Sequence, residues 1–259
     1  MAVRTYVKPT SLSEAAALLA AHERAVIIGG GAYLRLGARS FDVAVDLYDA
    51  GLDYVRETGD GLELGAMATY RMLETDPLTR AYADGVLARA VERIVGVQMR
   101  NIVTVGGTIY GRYAFSNLTT ALLALGADVM LHRAGRVTLE DFFQRKPDPW
   151  DILASVVLPS AGGRAAWQEL TRTCNDFAVL NVAAVRRDGE LRIAVGARPG
   201  LARLCPEAAA AASGDDAPAR AGEAAAAELD FGDDVRASAD YRRALCRALV
   251  ARAVGEVLS

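Results

Sequence analysis

Two short glycine-rich segments are the places in this 259-residue chain where residue type and spacing could do chemistry. Gly29-Gly30-Gly31 follows the apolar run Val26-Ile27-Ile28, and Gly106-Gly107 sits between Thr104 and Thr108. Glycine has no Cβ, so successive backbone N–H groups can converge on an anion without side-chain interference. The hydroxyls of Thr104 and Thr108 add donors where negative charge must be met without lysine. Alone, Gly29-Gly30-Gly31 reads equally well as a tight turn. It does not match Gly-x-Gly-x-x-Gly, and no acidic residue stands at the ribose position of a Rossmann unit. Two such segments together could grip a diphosphate from both sides.

The remaining reactive side chains offer less. His22 and His132 fall at element ends and read as surface residues. Tyr110 and Tyr113 read as packing, and Arg100 as a residue that fixes its loop or meets a neighbouring subunit. Cys174, Cys205 and Cys246 are far apart and odd in number, so no disulfide framework, zinc site or iron–sulfur motif is expected. Cys174 in particular reads as a buried structural cysteine. No acid, base, nucleophile or metal ligand is assigned. A net charge of −3 argues against nucleic acid as the main partner. No stretch approaches the roughly 20 apolar residues of a spanning helix, and Met1 to Tyr6 carries no signal-peptide core. A cytoplasmic chain is expected.

The elements that must position the glycines follow from pattern. Ser11-Leu12-Ser13-Glu14 is a capping box for a helix over 12–22. Short strands are expected at 26–28, 43–47, 62–66 and 129–131, and helices around 87–95 and 118–125, the second stopped by Gly126. Residues 103–108 read as a β-rich run broken by glycines. Ser160-Ala161-Gly162-Gly163 resembles a linker. Beyond it, Asp188-Gly189 marks a hairpin between 177–185 and 191–195, followed by alanine-rich helices over 207–228 and a last helix over 238–254. With 52% hydrophobic residues the chain can bury a substantial core. The class is α+β, with a mixed domain over 1–160 (subdomains about 1–55 and 56–160) and a C-terminal domain over 164–259.

Longer motifs carry a resemblance. Gln98 to Gly107, Phe115-Ser116-Asn117 and Ala121 to Ala127 closely resemble the flavin subunits of the xanthine dehydrogenase and carbon monoxide dehydrogenase family of molybdenum hydroxylases. Tyr6 to Pro9, Thr171 to Ala178 and Arg236 to Arg243 extend the likeness over nearly the whole chain. Tyr110 to Ser116 is similar to the nicotinate and bacterial purine hydroxylase branch. The resemblance implies a two-subdomain FAD-binding domain followed by a small α+β domain with an antiparallel sheet and helices.

It also implies FAD as cofactor. Ile27, Ile28, Gly29, Gly30, Gly31, Ala32, Tyr33 and Leu34 would wrap its diphosphate from one side. Thr104, Gly106, Gly107 and Thr108 would meet it from the other, with Ser116 and Asn117 toward the ribose and adenine. Ile152 and Leu153 would pack on the rings, and Gln168 falls where some relatives carry a lysine close to the flavin. Ala32 and Tyr33 stand where a Thr-Asp or Thr-Glu pair is usual, Thr108 replaces a common asparagine, and Asn117 a common aspartate. The partners implied are a large subunit with a molybdenum–pterin centre and a small subunit with 2Fe–2S clusters, with NAD as one candidate acceptor. A flavin-free structural subunit and a free-standing FAD oxidoreductase are the two other readings.

Overall fold

The computed structural model describes every residue except Pro147, Ala161 and Asn175. Ala161 of the expected linker and Asn175 of the 171–178 motif therefore lie outside the described residues. Among the described residues the strands form three sheets. β1 (Ala2–Val7), β2 (Ala25–Ile28) and β3 (Ser40–Asp46) make a parallel sheet in the order β1-β3-β2. β2 is thus an edge strand, with backbone groups free on one side.

The Leu12–Ala21 helix crosses between β1 and β2, as a parallel connection requires. Ser11 caps it by accepting from the Glu14 N–H at 3.2 Å, and the Glu14 carboxylate takes the Thr10 N–H at 2.8 Å. The capping box expected from sequence is present, with its return bond made one residue earlier than usual.

The second sheet holds β4 (Val55–Thr58), β5 (Gly61–Gly65), β6 (Asp128–Leu131), β7 (Gly135–Thr138) and β8 (Leu153–Pro159), antiparallel in the order β4-β5-β8-β6-β7. Helices between β5 and β6 pack on it, and Leu64, Leu87, Leu118, Leu122 and Leu158 fill the shared core. The third sheet, in the order β12-β11-β10-β9, contains β9 (Arg164–Thr171), β10 (Ala178–Arg187), β11 (Glu190–Gly196) and β12 (Arg203–Leu204). The Ala217–Glu228 and Ala239–Leu258 helices cover one face of it, through Ala221, Ala225, Leu249 and Val254. Small alanine side chains let these two helices approach closely.

One expected element changes type. Val105–Gly111 is helical, although it reads as a broken strand. Thr104 caps this helix by accepting from the Gly107 N–H at 3.2 Å. Local β propensity yields to a cap and to close packing: a Cβ on Gly106 would lie 2.8 Å from the Ala66 Cβ. Cys174 also departs from expectation, being exposed in the β9–β10 connection outside either strand.

Arg242 organises the C-terminal part. It is only 1% exposed and donates to the carbonyls of Val179, Gly232 and Ala237 and to the Asp234 carboxylate at 2.6–3.0 Å. Burial pushes the Asp234 carboxyl up, but hydrogen bonds from Arg242 and from the N–H groups of Arg236 and Ala237 outweigh it, leaving a net depression. Truncating a buried cation strands its acceptors, typically at about 3–5 kcal/mol. Arg242→Met is expected to lower stability by about 3 kcal/mol or more and to open the 230–238 loop to protease. Urea titration and the site of first cleavage check this; an unchanged midpoint would remove Arg242 from its anchoring role.

Candidate functional site: a cavity between two glycine-rich segments

The two glycine segments touch. A Cβ on Gly30 would lie 1.3 Å from the Ile102 carbonyl oxygen, and one on Gly29 would lie 2.7 Å from the Thr104 Oγ1. Gly30 would meet backbone that cannot give way, so loop–loop packing requires a glycine there, whereas a Cβ on Gly29 would press on the Thr104 hydroxyl, which would have to turn aside. Gly31 has a different reason: its φ of +66° is left-handed, with ample room around the missing Cβ.

Between the segments lies a cavity of about 420 Å³. Its wall includes Ile27, Gly29, Gly30, Gly31, Ala32, Tyr33 and Leu34 on one side and Thr104, Gly106, Gly107 and Thr108 on the other. Ser116, Asn117, Ile152 and Leu153 also line it. Two residues proposed from the resemblance do not. Ile28 packs beneath the first loop, its Cγ2 3.7 Å from where a Gly31 Cβ would stand. Gln168 lies on β9 and donates to the Glu256 carboxylate at 2.9 Å, tying the sheet to the last helix.

Hydrogen bonds divide the two segments by role. In the second, the Val105 N–H donates to the Ala68 carbonyl, that of Gly106 to Ala66, and that of Thr108 to Thr104. The Gly107 N–H is taken by the Thr104 side chain. The Thr108 hydroxyl donates to the Thr104 carbonyl at 2.9 Å and lies 3.0 Å from the Tyr70 hydroxyl. These donors are spent on the fold. In the first segment, the N–H groups of Gly30, Gly31 and Ala32 donate to no acceptor among the described residues. Three successive free N–H groups on a cavity wall, one residue of them left-handed, suit a multiply charged anion. A diphosphate fits this donor set.

Sequence reading missed much of the wall. Tyr33, Tyr113, Phe115 and Phe177 form one ring cluster, with centroids 4.3–6.5 Å apart. Phe177 comes from the β9–β10 connection, so the C-terminal part contributes directly. Arg236 lies over the Phe177 ring at 5.3 Å and pairs with Asp176 at 3.4 Å. Aromatics spaced so widely in sequence carry no periodic signal that would gather them. Arg100, in contrast, fixes its loop as expected, donating to Glu74 at 2.7 Å and to the Ile94 carbonyl at 3.2 Å.

None of these groups is poised as a base. Burial pushes the phenols of Tyr33, Tyr70 and Tyr110 up to about 12, so they stay protonated at neutral pH. Asp151, the carboxylate in the wall, accepts from the N–H groups of Arg133, Ala134 and Ile152 at 2.8–3.0 Å and so sets the position of Ile152. Asn117 is 2% exposed and engaged at both ends, donating to Glu169 at 2.7 Å and accepting from Asn181 at 2.6 Å.

The family described as the FAD binding domain in molybdopterin dehydrogenase matches residues 1–161. The chain belongs to this family. A second match, to the CO dehydrogenase flavoprotein C-terminal domain, covers residues 165–257. The chain is 31% identical to the nicotine 6-hydroxylase medium subunit of Paenarthrobacter nicotinovorans, over 97% of this chain and 96% of that one. It is 26% identical to the carbon monoxide dehydrogenase medium chain of Hydrogenophaga pseudoflava, over 96% of this chain and 95% of that one.

Among solved structures, carbon monoxide dehydrogenase from Hydrogenophaga pseudoflava, lacking the Mo-pyranopterin moiety of its molybdenum cofactor, superposes with a TM-score of 0.89. That match has 27% identity and covers 98% of this chain and 96% of that one. Quinoline 2-oxidoreductase from Pseudomonas putida 86 also gives 0.89, at 25% identity, covering 99% of this chain and 97% of the other. The α+β class and the two-part flavoprotein architecture are those of the family. FAD is the cofactor, and the chain is an FAD-binding subunit of an oxidoreductase of the molybdopterin dehydrogenase type.

The Asn117–Glu169 contact gives a test by pH. Burial raises the Glu169 carboxyl above its ordinary range, partly offset by the Asn117 hydrogen bond and the Arg93 charge. A raised value means the folded chain favours the protonated acid. The associated stability is present at low pH and lost as pH rises through the folded value. A glutamine in its place would keep an acceptor for Asn117 without the charge. Glu169→Gln is expected to be more stable than the parent at pH 8, with the difference vanishing near pH 4. Urea melts at both values check it; a larger advantage at pH 4 would reverse the assignment.

Proposed function

We propose that this chain is the medium subunit of a multi-subunit molybdenum hydroxylase and holds FAD in the cavity between its two glycine segments. The observation that carries the placement is that Gly30, Gly31 and Ala32, whose N–H groups donate to no acceptor among the described residues, line a cavity of about 420 Å³. Bound FAD would supply the redox chemistry, collecting electrons and passing them on in pairs. The chain's own residues bind and orient. Gly30, Gly31 and Ala32 would meet the diphosphate, while Thr104 closes the far side with a hydroxyl whose proton is uncommitted among the described residues. Ile152 and Leu153 would pack on the rings, and Ser116 and Asn117 would shape the wall beside the sugar. The ring cluster of Tyr33, Tyr113, Phe115 and Phe177 would shield the cofactor from water. Ile28 and Gln168 have no direct part.

The electron donor in this reading is a 2Fe–2S partner subunit, and the oxidised substrate binds on a molybdenum subunit. Support for the molybdenum partner comes from the relatives, whose names describe medium subunits and a carbon monoxide dehydrogenase lacking the Mo-pyranopterin moiety of its molybdenum cofactor. NAD is one acceptor consistent with the flavin's two-electron chemistry. No helix among the described residues is long and apolar enough to cross a membrane.

The test is purification with co-expressed neighbours, followed by the visible spectrum and release of the cofactor by acid. FAD at one per chain supports the reading, and a colourless, folded complex would overturn it. Gly107 supplies the site-specific variant. It is exposed toward the cavity, and a Cβ there would meet only the Thr104 hydroxyl, at 2.9 Å. Gly107→Leu is expected to fold but to lose FAD occupancy at least tenfold. Wild-type occupancy would displace the diphosphate from this position.

A further inference from the structure

Three cross-strand neighbours stand in one row of the third sheet: Glu169 on β9, Asn181 on β10 and Gly196 on β11. Residues directly opposite one another share a face of the sheet. That face carries the Asn117–Leu125 helix, whose first residue lines the cavity. The sheet holds this helix at both ends. At the last turn Arg187 donates to the Leu125 carbonyl at 3.1 Å, and Arg192 to those of Ala124 and Leu123 at 3.3 and 3.2 Å. Cations are favoured there by the helix dipole. At the first turn the row itself makes the contact.

These contacts form a directed relay. The Thr120 hydroxyl donates to the Asn181 Oδ1 at 2.7 Å, the Asn181 Nδ2 to the Asn117 Oδ1 at 2.6 Å, and the Asn117 Nδ2 to the Glu169 carboxylate at 2.7 Å. Thr120 and Asn181 are fully buried. Gly196 makes the space for them: a Cβ there would lie 2.1 Å from the Thr120 hydroxyl and 2.5 Å from the Asn181 Oδ1. A carboxamide has one oxygen and two N–H groups, so the direction of the relay fixes which end faces which neighbour. Turned over, Asn117 would set its carbonyl oxygen against the Glu169 carboxylate and its N–H groups against those of Asn181. As it stands, one N–H of Asn117 is committed. The other donates to no acceptor among the described residues, on a side chain that is 2% exposed and belongs to the cavity wall. A buried donor left unpaired is costly.

Resting on the FAD placement proposed above, we infer that Asn117 gives its remaining N–H to an oxygen of the bound cofactor, and that Thr120, Asn181 and Glu169 are positioning residues that hold it in that orientation. An amide free to turn over would offer the cofactor an N–H in one orientation and an oxygen in the other. The relay removes that choice in advance, so binding does not have to order the side chain. Thr120, Asn181 and Glu169 are absent from the cavity wall, and their effect on the cofactor passes through Asn117. Strands β9 and β10 thus act on the cofactor by orienting a side chain of another element.

The experiment titrates the full chain, freed of flavin, with FAD at neutral pH. It compares the parent with Asn117→Ala, Glu169→Leu, Glu169→Gln, Thr120→Val and the double variant Asn117→Ala/Glu169→Leu. Quenching of flavin fluorescence gives Kd, and urea melts show that each variant folds. Asn117→Ala and Glu169→Leu are each expected to raise Kd about tenfold, the size of one well-placed hydrogen bond. Glutamine at 169 still accepts from Asn117 and should stay within about twofold of the parent. Thr120→Val keeps the shape, removes the first donor, and is expected to raise Kd about threefold. The double variant decides between positioning and plain structure: with Asn117 truncated, Glu169→Leu should cost no further affinity. If Glu169→Leu fails to fold, Thr120→Val takes its place in the same cycle. Equal losses from Glu169→Leu in both backgrounds would overturn the inference, as would parent-like Kd in Asn117→Ala or in Glu169→Leu. A parent chain that binds no FAD would instead overturn the placement on which the inference rests, so the two failures are distinct.

Discussion

The contact between Gly30 and the Ile102 carbonyl is the constraint on which the site depends. There is no room for a Cβ there, so the first loop lies directly on the backbone leading to Thr104. That contact brings the end of β2, in the parallel sheet, against a helix that packs on the antiparallel sheet. The cavity exists because two separately folded layers meet at this seam and leave space beside it. A larger side chain would hold the layers apart and leave the free N–H groups facing solvent. Affinity for an anion then depends on packing between elements, more than on the glycine loop as an isolated motif.

The two loops are alike in composition and unlike in use. In the second, Thr104 and the Ala66 and Ala68 carbonyls take up the N–H groups of the first helical turn. That turn is a rigid wall with an open surface at Gly107. In the first, no such acceptors are near, and three consecutive donors remain available. A donor held ready by a rigid scaffold binds charge without first breaking bonds to the protein. The mutual satisfaction of the second loop is what makes the readiness of the first possible, since it fixes the surface on which Gly29 and Gly30 rest.

Much of this was legible in sequence, for physical reasons that differ by element. The 12–21 helix, the Gly126 stop and the Asp188-Gly189 hairpin are local: a cap, a left-handed glycine and a tight turn each announce themselves within a few residues. The Val105–Gly111 helix was not legible, because its β-branched and glycine residues oppose helix formation and only Thr104 and tertiary contact with Ala66 decide it. Which residues line the cavity was partly legible through family resemblance. Arg39 and Phe177 were not, since each reaches the wall through strand order and domain docking. Gln168 shows the reverse case: a suggestive position whose side chain is committed to Glu256.

The C-terminal part is more than a cover. Buried Arg242 holds Asp234, Asp234 accepts from the Arg236 N–H at 2.8 Å, and Arg236 lies over Phe177 in the cavity wall. This chain of contacts carries the stability of the last helix to one ring of the cluster around Tyr33. Tyr33 in turn follows directly on the donors of Gly30, Gly31 and Ala32. The shielding of the anion-binding loop is therefore linked to the docking of residues some 200 positions further along the sequence. An isolated first domain would keep the glycine contact at Ile102 but lose Phe177 and the charge behind it. The loop would retain its shape at the seam and lose its shield from water, where burial makes a hydrogen bond to charge strongest.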